Sequence, residues 1–204
     1  AVNDSSARVR IIYDSTGNKA VRETALYLAS NYSNAVAADL AEVNIKGGCM
    51  GCLKCGFKNE CVYDGSDDYR SFHQKMIMDA DIVFFVGGIR DRYLSSKFKL
   101  FFDRSFYRNH VPSLSGKQTG WVVLGELSST PNIRQFIEAY SEVSFANIAG
   151  IVSFESNDQQ AFSKEIDLLV KRAVFFHEEN FRAPDTFLGN GGRRIFRDEI
   201  WSFM

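Results

Sequence analysis

Apolar positions along the chain follow two alternating rhythms. Val9-Arg10-Ile11-Ile12-Tyr13, Ile82-Val83-Phe84-Phe85-Val86, Trp121-Val122-Val123-Leu124 and Ile148 to Phe154 are short runs with strand-like length and content. Between them apolar residues recur every three or four positions. Val21, Ala25, Leu28, Ala29 and Tyr32 form one such stripe, Phe98, Phe101, Phe102 and Phe106 a second, and Ile133, Phe136, Ile137 and Tyr140 a third. Phe162, Ile166, Leu169, Val170, Ala173 and Phe176 mark a long closing helix. A weaker strand is predicted from Val36 to Ile45 and a polar helix from Tyr69 to Met78. Ile82–Val86 is apolar throughout, which predicts burial on both faces.

Strands alternating with helices predict an α/β fold, a five-stranded parallel sheet covered on both faces. Right-handed crossovers gather the strand-to-helix loops along one edge, where ligands bind in such sheets. One domain over 8–182 is expected, with a cysteine loop at 47–64 after the second strand. The segment 183–204, with Gly189-Asn190-Gly191-Gly192, reads as an irregular extension packing on the domain or on a partner subunit.

Charge narrows the partners. Lys and Arg number 24 against 25 Asp and Glu, and this balance gives no attraction for nucleic acid or an acidic membrane. No apolar run approaches the ~20 residues of a membrane span. The chain opens on Ala1 rather than methionine, so a removed leader or a trimmed start is left open.

The cysteines are gathered at Cys49, Cys52, Cys55 and Cys61. A disulfide framework would staple distant segments instead, so this clustering points to a metal or cluster site in a reducing, cytoplasmic setting. Thiolates three residues apart can wrap one face of an iron–sulfur cube, with the fourth closing it from a short return. A four-thiolate zinc site competes, although it usually pairs two Cys-x2-Cys knuckles across a longer gap. Four unligated thiols are the third reading.

The first predicted loop runs Asp14-Ser15-Thr16-Gly17-Asn18-Lys19 into a helix. Hydroxyls, a glycine and free amides at a helix N-terminus suit a phosphate, and simple capping by Ser15 or Thr16 suits the same residues. It is neither a Walker loop nor a Gly-x-Gly-x-x-Gly turn. Asp14 would repel a phosphate and Lys19 would compensate. The third loop, Gly87-Gly88-Ile89-Arg90-Asp91-Arg92-Tyr93, leads into Ser95-Ser96-Lys97-Phe98-Lys99 and Phe102-Asp103-Arg104. The fourth is Gly125-Glu126-Leu127-Ser128.

Together these segments resemble the flavodoxin-like NAD(P)H-dependent FMN reductases, and the cysteine motif is similar to that of iron–sulfur flavoproteins. The resemblance implies a flavodoxin-like, doubly wound sheet holding FMN. Ser15, Thr16, Gly17, Asn18 and Lys19 would anchor the phosphate. Gly87, Gly88, Ile89, Arg90, Asp91 and Tyr93, with Gly125, Glu126, Leu127 and Ser128, would cup the ring. Arg90 stands where relatives often carry an aromatic, and would stack on the ring or hydrogen-bond its carbonyl edge. By the same resemblance Cys49, Cys52, Cys55 and Cys61 would ligate a 4Fe-4S cluster. No side chain would act as catalyst, since the chemistry belongs to the flavin.

NAD(P)H or a ferredoxin-like protein would be the donor, a small molecule the acceptor, and a homodimer or homotetramer the assembly. Two alternatives stand beside this reading. One is a cluster-free NAD(P)H-dependent reductase of quinones, nitro compounds or free flavin. The other is a non-catalytic module without FMN, its thiols holding zinc or nothing. His73, His110 and His177 share no ligand spacing, and Asp67-Asp68 suit a helix N-terminus.

Overall fold

A computed structural model describes residues 5–108, 111, 113–155, 158–195 and 197–198, though not the side chain of Phe57. Five parallel strands form one sheet in the order β2-β1-β3-β4-β5. They are β1 (Val9–Tyr13), β2 (Val36–Asp39), β3 (Ile82–Gly88), β4 (Gln118–Leu124) and β5 (Asn147–Phe154). This is the flavodoxin-like strand order, with its switch point between β1 and β3.

The helices are α1 (Lys19–Ala29), the short α2 (Cys55–Lys58), α3 (Tyr69–His73), α4 (Ser96–Ser105), α5 (Pro131–Val143), α6 (Gln159–Glu178) and α7 (Phe187–Ile195). A wider helical turn over Gln74–Met78 continues α3, so the predicted polar helix is present along its whole length.

Successive strand residues feed opposite cores, as the two-residue period of a strand demands. Ile11, Phe84 and Val122 pack with α1 and α6 on one face. Ile12, Phe85 and Trp121 pack with α3, α4 and α5 on the other. Phe85 stacks on Trp121 at 4.4 Å between ring centres. Phe84 needs room beside β4, and a Cβ on Gly120 would lie 2.4 Å from its ring.

Local chemistry sets the helix starts. Asn18 caps α1 by accepting from Ala20 N at 3.1 Å, Ser95 caps α4 through Phe98 N, and Asp158 caps α6 through Gln160 N and Ala161 N.

Two expectations need correction. The second strand stops at Asp39 rather than Ile45, because Asp39 accepts from Ala41 N and opens a tight turn over Leu40–Glu42. The segment after Ala183 is not irregular throughout. It forms α7, which docks on the end of α5, where Glu142 accepts from Thr186 N at 3.1 Å and Thr186 Oγ1 at 2.9 Å. Arg193 ties to Asp185 and lies 4.3 Å over the Phe145 ring. Residues 196 and 199–204 of that extension, residues 1–4, and His110 fall outside the described residues. Among those described, no helix is long and apolar enough to cross a membrane.

Candidate functional site

The loops that follow β1, β3 and β4 meet at the carboxyl edge of the sheet, and glycines set their closest approaches. A Cβ on Gly17 would lie 2.6 Å from Arg90 Nη2, and one on Gly88 would lie 2.9 Å from Asn18 Nδ2. Gly125, at φ +138°, would press a Cβ to 3.0 Å from Ile89. Ile89 N also donates to Leu124 O at 2.9 Å, joining the third loop to the fourth. Residues 17, 18, 88, 89, 90 and 125, picked out from sequence, therefore share one small region. The missing side chains at its glycines let the three loops pack this closely.

Inside the first loop, hydrogen bonding differs from expectation. Ser15 N donates to Asp39 Oδ1 at 3.1 Å and Ser15 Oγ to Asp39 Oδ2 at 2.5 Å. Thr16 N and Oγ1 both donate to Asp14 Oδ1, at 3.0 and 2.6 Å. Both carboxylates are buried, and Asp14 Oδ2 has no partner among the described residues. Lys19 points away from the loop: its ammonium pairs with Glu23 at 3.1 Å and its side chain is 89% exposed.

Arg90 comes instead to the loop, donating through Nη2 to the Thr16 carbonyl. It leaves a tight turn in which Arg90 N and Tyr93 N bond each other's carbonyls and Asp91 adopts φ +54°. Its guanidinium thus lies against the first loop.

The remaining predicted residues have structural partners. Gly87 gives room to Phe98, whose ring would sit 2.9 Å from a Cβ there. Tyr93 packs edge-on against Phe136 at 5.1 Å, and burial raises its phenol pKa, with Asp103 adding to the effect. Leu127 is buried in the core. Ser128 donates its N–H and hydroxyl to Glu155, at 3.1 and 2.7 Å, while Glu126 accepts from Ser129 Oγ at 2.6 Å. Asp39 and Glu155 were missed from sequence, and their one visible signal is an acidic residue at or just past the end of an apolar strand.

The four cysteines line one small cavity of about 30 Å³, with Tyr63 and Arg104 also in its wall. Cys49 and Cys52 are exposed, and Cys55 and Cys61 are half-buried. Burial pushes the Cys55 thiol up, and the neighbouring Cys49, Cys52 and Cys61 push it further. Among the described residues no three His, Cys, Asp or Glu side chains are close enough to hold a metal ion. The compact metal centre expected from the cysteine spacing is therefore not assembled, although its donors share a cavity.

Arg104 was not singled out from sequence. It forms an ion pair with Asp67 at 2.6 Å, both side chains 1% exposed. Its guanidinium lies 4.3 Å over Tyr63 and 4.8 Å over Tyr69. Burial opposes its charge, but Asp67 and Cys61 outweigh burial and hold its pKa above the ordinary value. An open groove of about 720 Å³ joins this region to the third loop, with Cys49 at one part of its wall and Tyr93, Phe102, Phe136 and Tyr140 at another.

No protein-family model matches the sequence, and no curated protein sequence does either. Solved structures match its fold. RosB with a bound 8-demethyl-8-formylriboflavin-5'-phosphate intermediate aligns with a TM-score of 0.63 at 10% identity, over 95% of this chain and 88% of that one. A flavodoxin, a WrbA-like protein from Agrobacterium tumefaciens, aligns at 0.56 and 14% identity, over 86% and 100%. The apo form of the NADH:FMN oxidoreductase EMOB aligns at 0.55 and 12% identity, over 90% and 96%. The fold is flavodoxin-like.

Proposed function

We propose that this chain is an FMN-dependent oxidoreductase that takes electrons from NAD(P)H and delivers them to a small-molecule acceptor. The observation that carries the reading is the meeting of the β1, β3 and β4 loops at the carboxyl edge, with Gly17, Gly88 and Gly125 at their closest approaches. That edge, at a topological switch point, is where such sheets take nucleotides. The names of the similar structures support it, one carrying a riboflavin-5'-phosphate derivative and one named for NADH and FMN.

The cradle fits the group. Gly17 and Asn18 sit at the start of α1, whose N-terminal amides favour an anion, and the β3 and β4 loops meet beside them at Ile89 and Gly125. FMN, when bound, supplies two-electron chemistry with the nicotinamide and one- or two-electron chemistry with the acceptor. The chain's own contribution would be to hold the phosphate end beside Gly17, offer the β3 and β4 loops to the ring, and leave the aromatic groove beside Tyr93 open to an acceptor. A homodimer or homotetramer with the flavin near the subunit contact belongs to the same proposal.

A second reading adds a 4Fe-4S cluster at Cys49, Cys52, Cys55 and Cys61. The shared cavity of the four thiols favours it, as does the groove joining Cys49 to Tyr93. The cluster-free reductase needs only the rim, and we adopt it as the working function.

Anaerobic purification followed by flavin, iron and sulfide analysis tests both readings. Flavin absorbance that NAD(P)H bleaches, without iron, supports the reductase. Stoichiometric iron and sulfide beside the flavin supports the cluster. Protein that stays colourless after incubation with FMN contradicts both.

A further inference from the structure

We infer that Arg90 is the cation that grips the phosphate of the bound flavin nucleotide, in place of the Ser15 and Thr16 hydroxyls and of Lys19. This deepens the FMN reading and rests on it. A hydroxyl has one proton to donate. Ser15 directs its proton to Asp39 and Thr16 directs its own to Asp14, and their backbone N–H groups go the same way. Both hydroxyls can then only accept, and a phosphate offers them little.

Charge makes the shortage sharper. Asp14 and Asp39 are 4% and 7% exposed and place two carboxylates behind the loop. A phosphate ester brought to that spot meets repulsion unless a cation stands between. Lys19 is turned outward to Glu23 and does not supply it. Arg90 reaches over from the end of β3, and its Nη2 already touches the loop at Thr16 O. Among the described residues its Nη1 and Nε have no hydrogen-bond partner. Four of its five N–H groups remain, and the second N–H of Nη2 still forms, with its neighbour, one two-pronged edge of the kind by which arginine binds phosphate.

Gly17 allows this approach. At φ +64° it presents bare backbone, and a Cβ would meet Arg90 Nη2 at 2.6 Å. The Arg90–Tyr93 turn holds the arginine's own backbone in place. Arg90 therefore couples two loops before any ligand arrives, and the phosphate completes its set of partners.

The test compares FMN with riboflavin, which differ only in the phosphate, by quenching of flavin fluorescence in the wild-type chain, Arg90→Gln and Arg90→Lys. Arg90→Gln is expected to lose FMN affinity roughly tenfold or more while riboflavin affinity stays within about twofold. Arg90→Lys should recover part of the FMN affinity. Inorganic phosphate provides a second readout, since it should raise the melting temperature of the wild type and not of Arg90→Gln.

Equal losses for both flavins would overturn the assignment by putting Arg90 on the ring or making it a prop for the loop. Unchanged or tighter FMN binding in Arg90→Gln would overturn it too, the latter making the guanidinium a plug. A wild-type chain that binds neither flavin removes the FMN reading itself and this inference with it. That result is distinct from a wild type that binds FMN with an indifferent variant.

Discussion

The carboxyl rim of the sheet and the cysteine loop are held by different physics. At the rim, contacts are local or between adjacent loops, and they are set by backbone: Gly17 and Gly125 at positive φ, Asn18 beside Gly88, Ile89 on the Leu124 carbonyl. The cysteine loop is framed instead by a buried ion pair. Asp67 reaches Arg104 of α4, and Asp67 also accepts from Lys46 N at 3.1 Å and Tyr69 N at 3.2 Å. The rim thus brings backbone from three loops together at the edge of the sheet. In the other region the frame is rigid while Cys49 and Cys52 stand in solvent. A chain can lose whatever its cysteines hold and keep its rim.

The largest way to break this contrast is Arg104→Met, which strips the buried Asp67 of its partner. Loss of about 3–5 kcal/mol is expected from urea unfolding, and Asp67→Asn added to it should recover much of that loss. FMN affinity of the folded variant should hold. A fall in FMN affinity matching the stability loss would show that the two regions are one unit.

A second break lies in the aromatic core beneath the cysteine loop. His73 is buried, with Nδ1 3.1 Å from Tyr107 Oη and Nε2 without a hydrogen-bond partner among the described residues. Burial, and secondarily Arg108, lower its pKa to about 3. The folded state therefore keeps it neutral while the unfolded chain takes up a proton below about pH 6.5. Its stabilising contribution is whole above that pH and falls as pH drops toward 3, costing about 2 kcal/mol by pH 5. Denaturant melts at stepped pH should lose that slope in His73→Phe.

At the rim the expected effects are smaller and of another kind. Gly125→Ala meets both φ +138° and the Ile89 side chain, so about 1–2 kcal/mol of stability should go, together with FMN affinity. Smaller still is Lys19→Glu. Sequence alone makes this lysine a phosphate anchor, yet its ammonium is exposed and paired with Glu23. FMN titration of this variant should agree with the wild type within about twofold.

These differences also explain what the sequence made legible. Ile82–Val86 could be read because a strand buried on both faces has no polar interruptions, and the rim glycines because a turn leading into a helix has few chemistries. α7 escaped notice because Gly189, Gly191 and Gly192 carry low helix propensity. Its helix depends on Glu142 and Phe145, more than forty residues away. Arg104 escaped for the same reason, its partner lying in another element. Asp67 was read as an N-terminal acid of α3, and it does accept from Tyr69 N, but most of its role is tertiary. The contact of Arg90 with Thr16 could not be read from sequence, because a long side chain's direction is not written in its own loop.

Equilibrium titration of FMN into the flavin-free chain, followed by flavin fluorescence, tests the central claim most directly. Saturable quenching at one FMN per chain is the predicted result, followed by anaerobic bleaching of the bound flavin with NAD(P)H. Free-flavin emission persisting through the whole titration would contradict it.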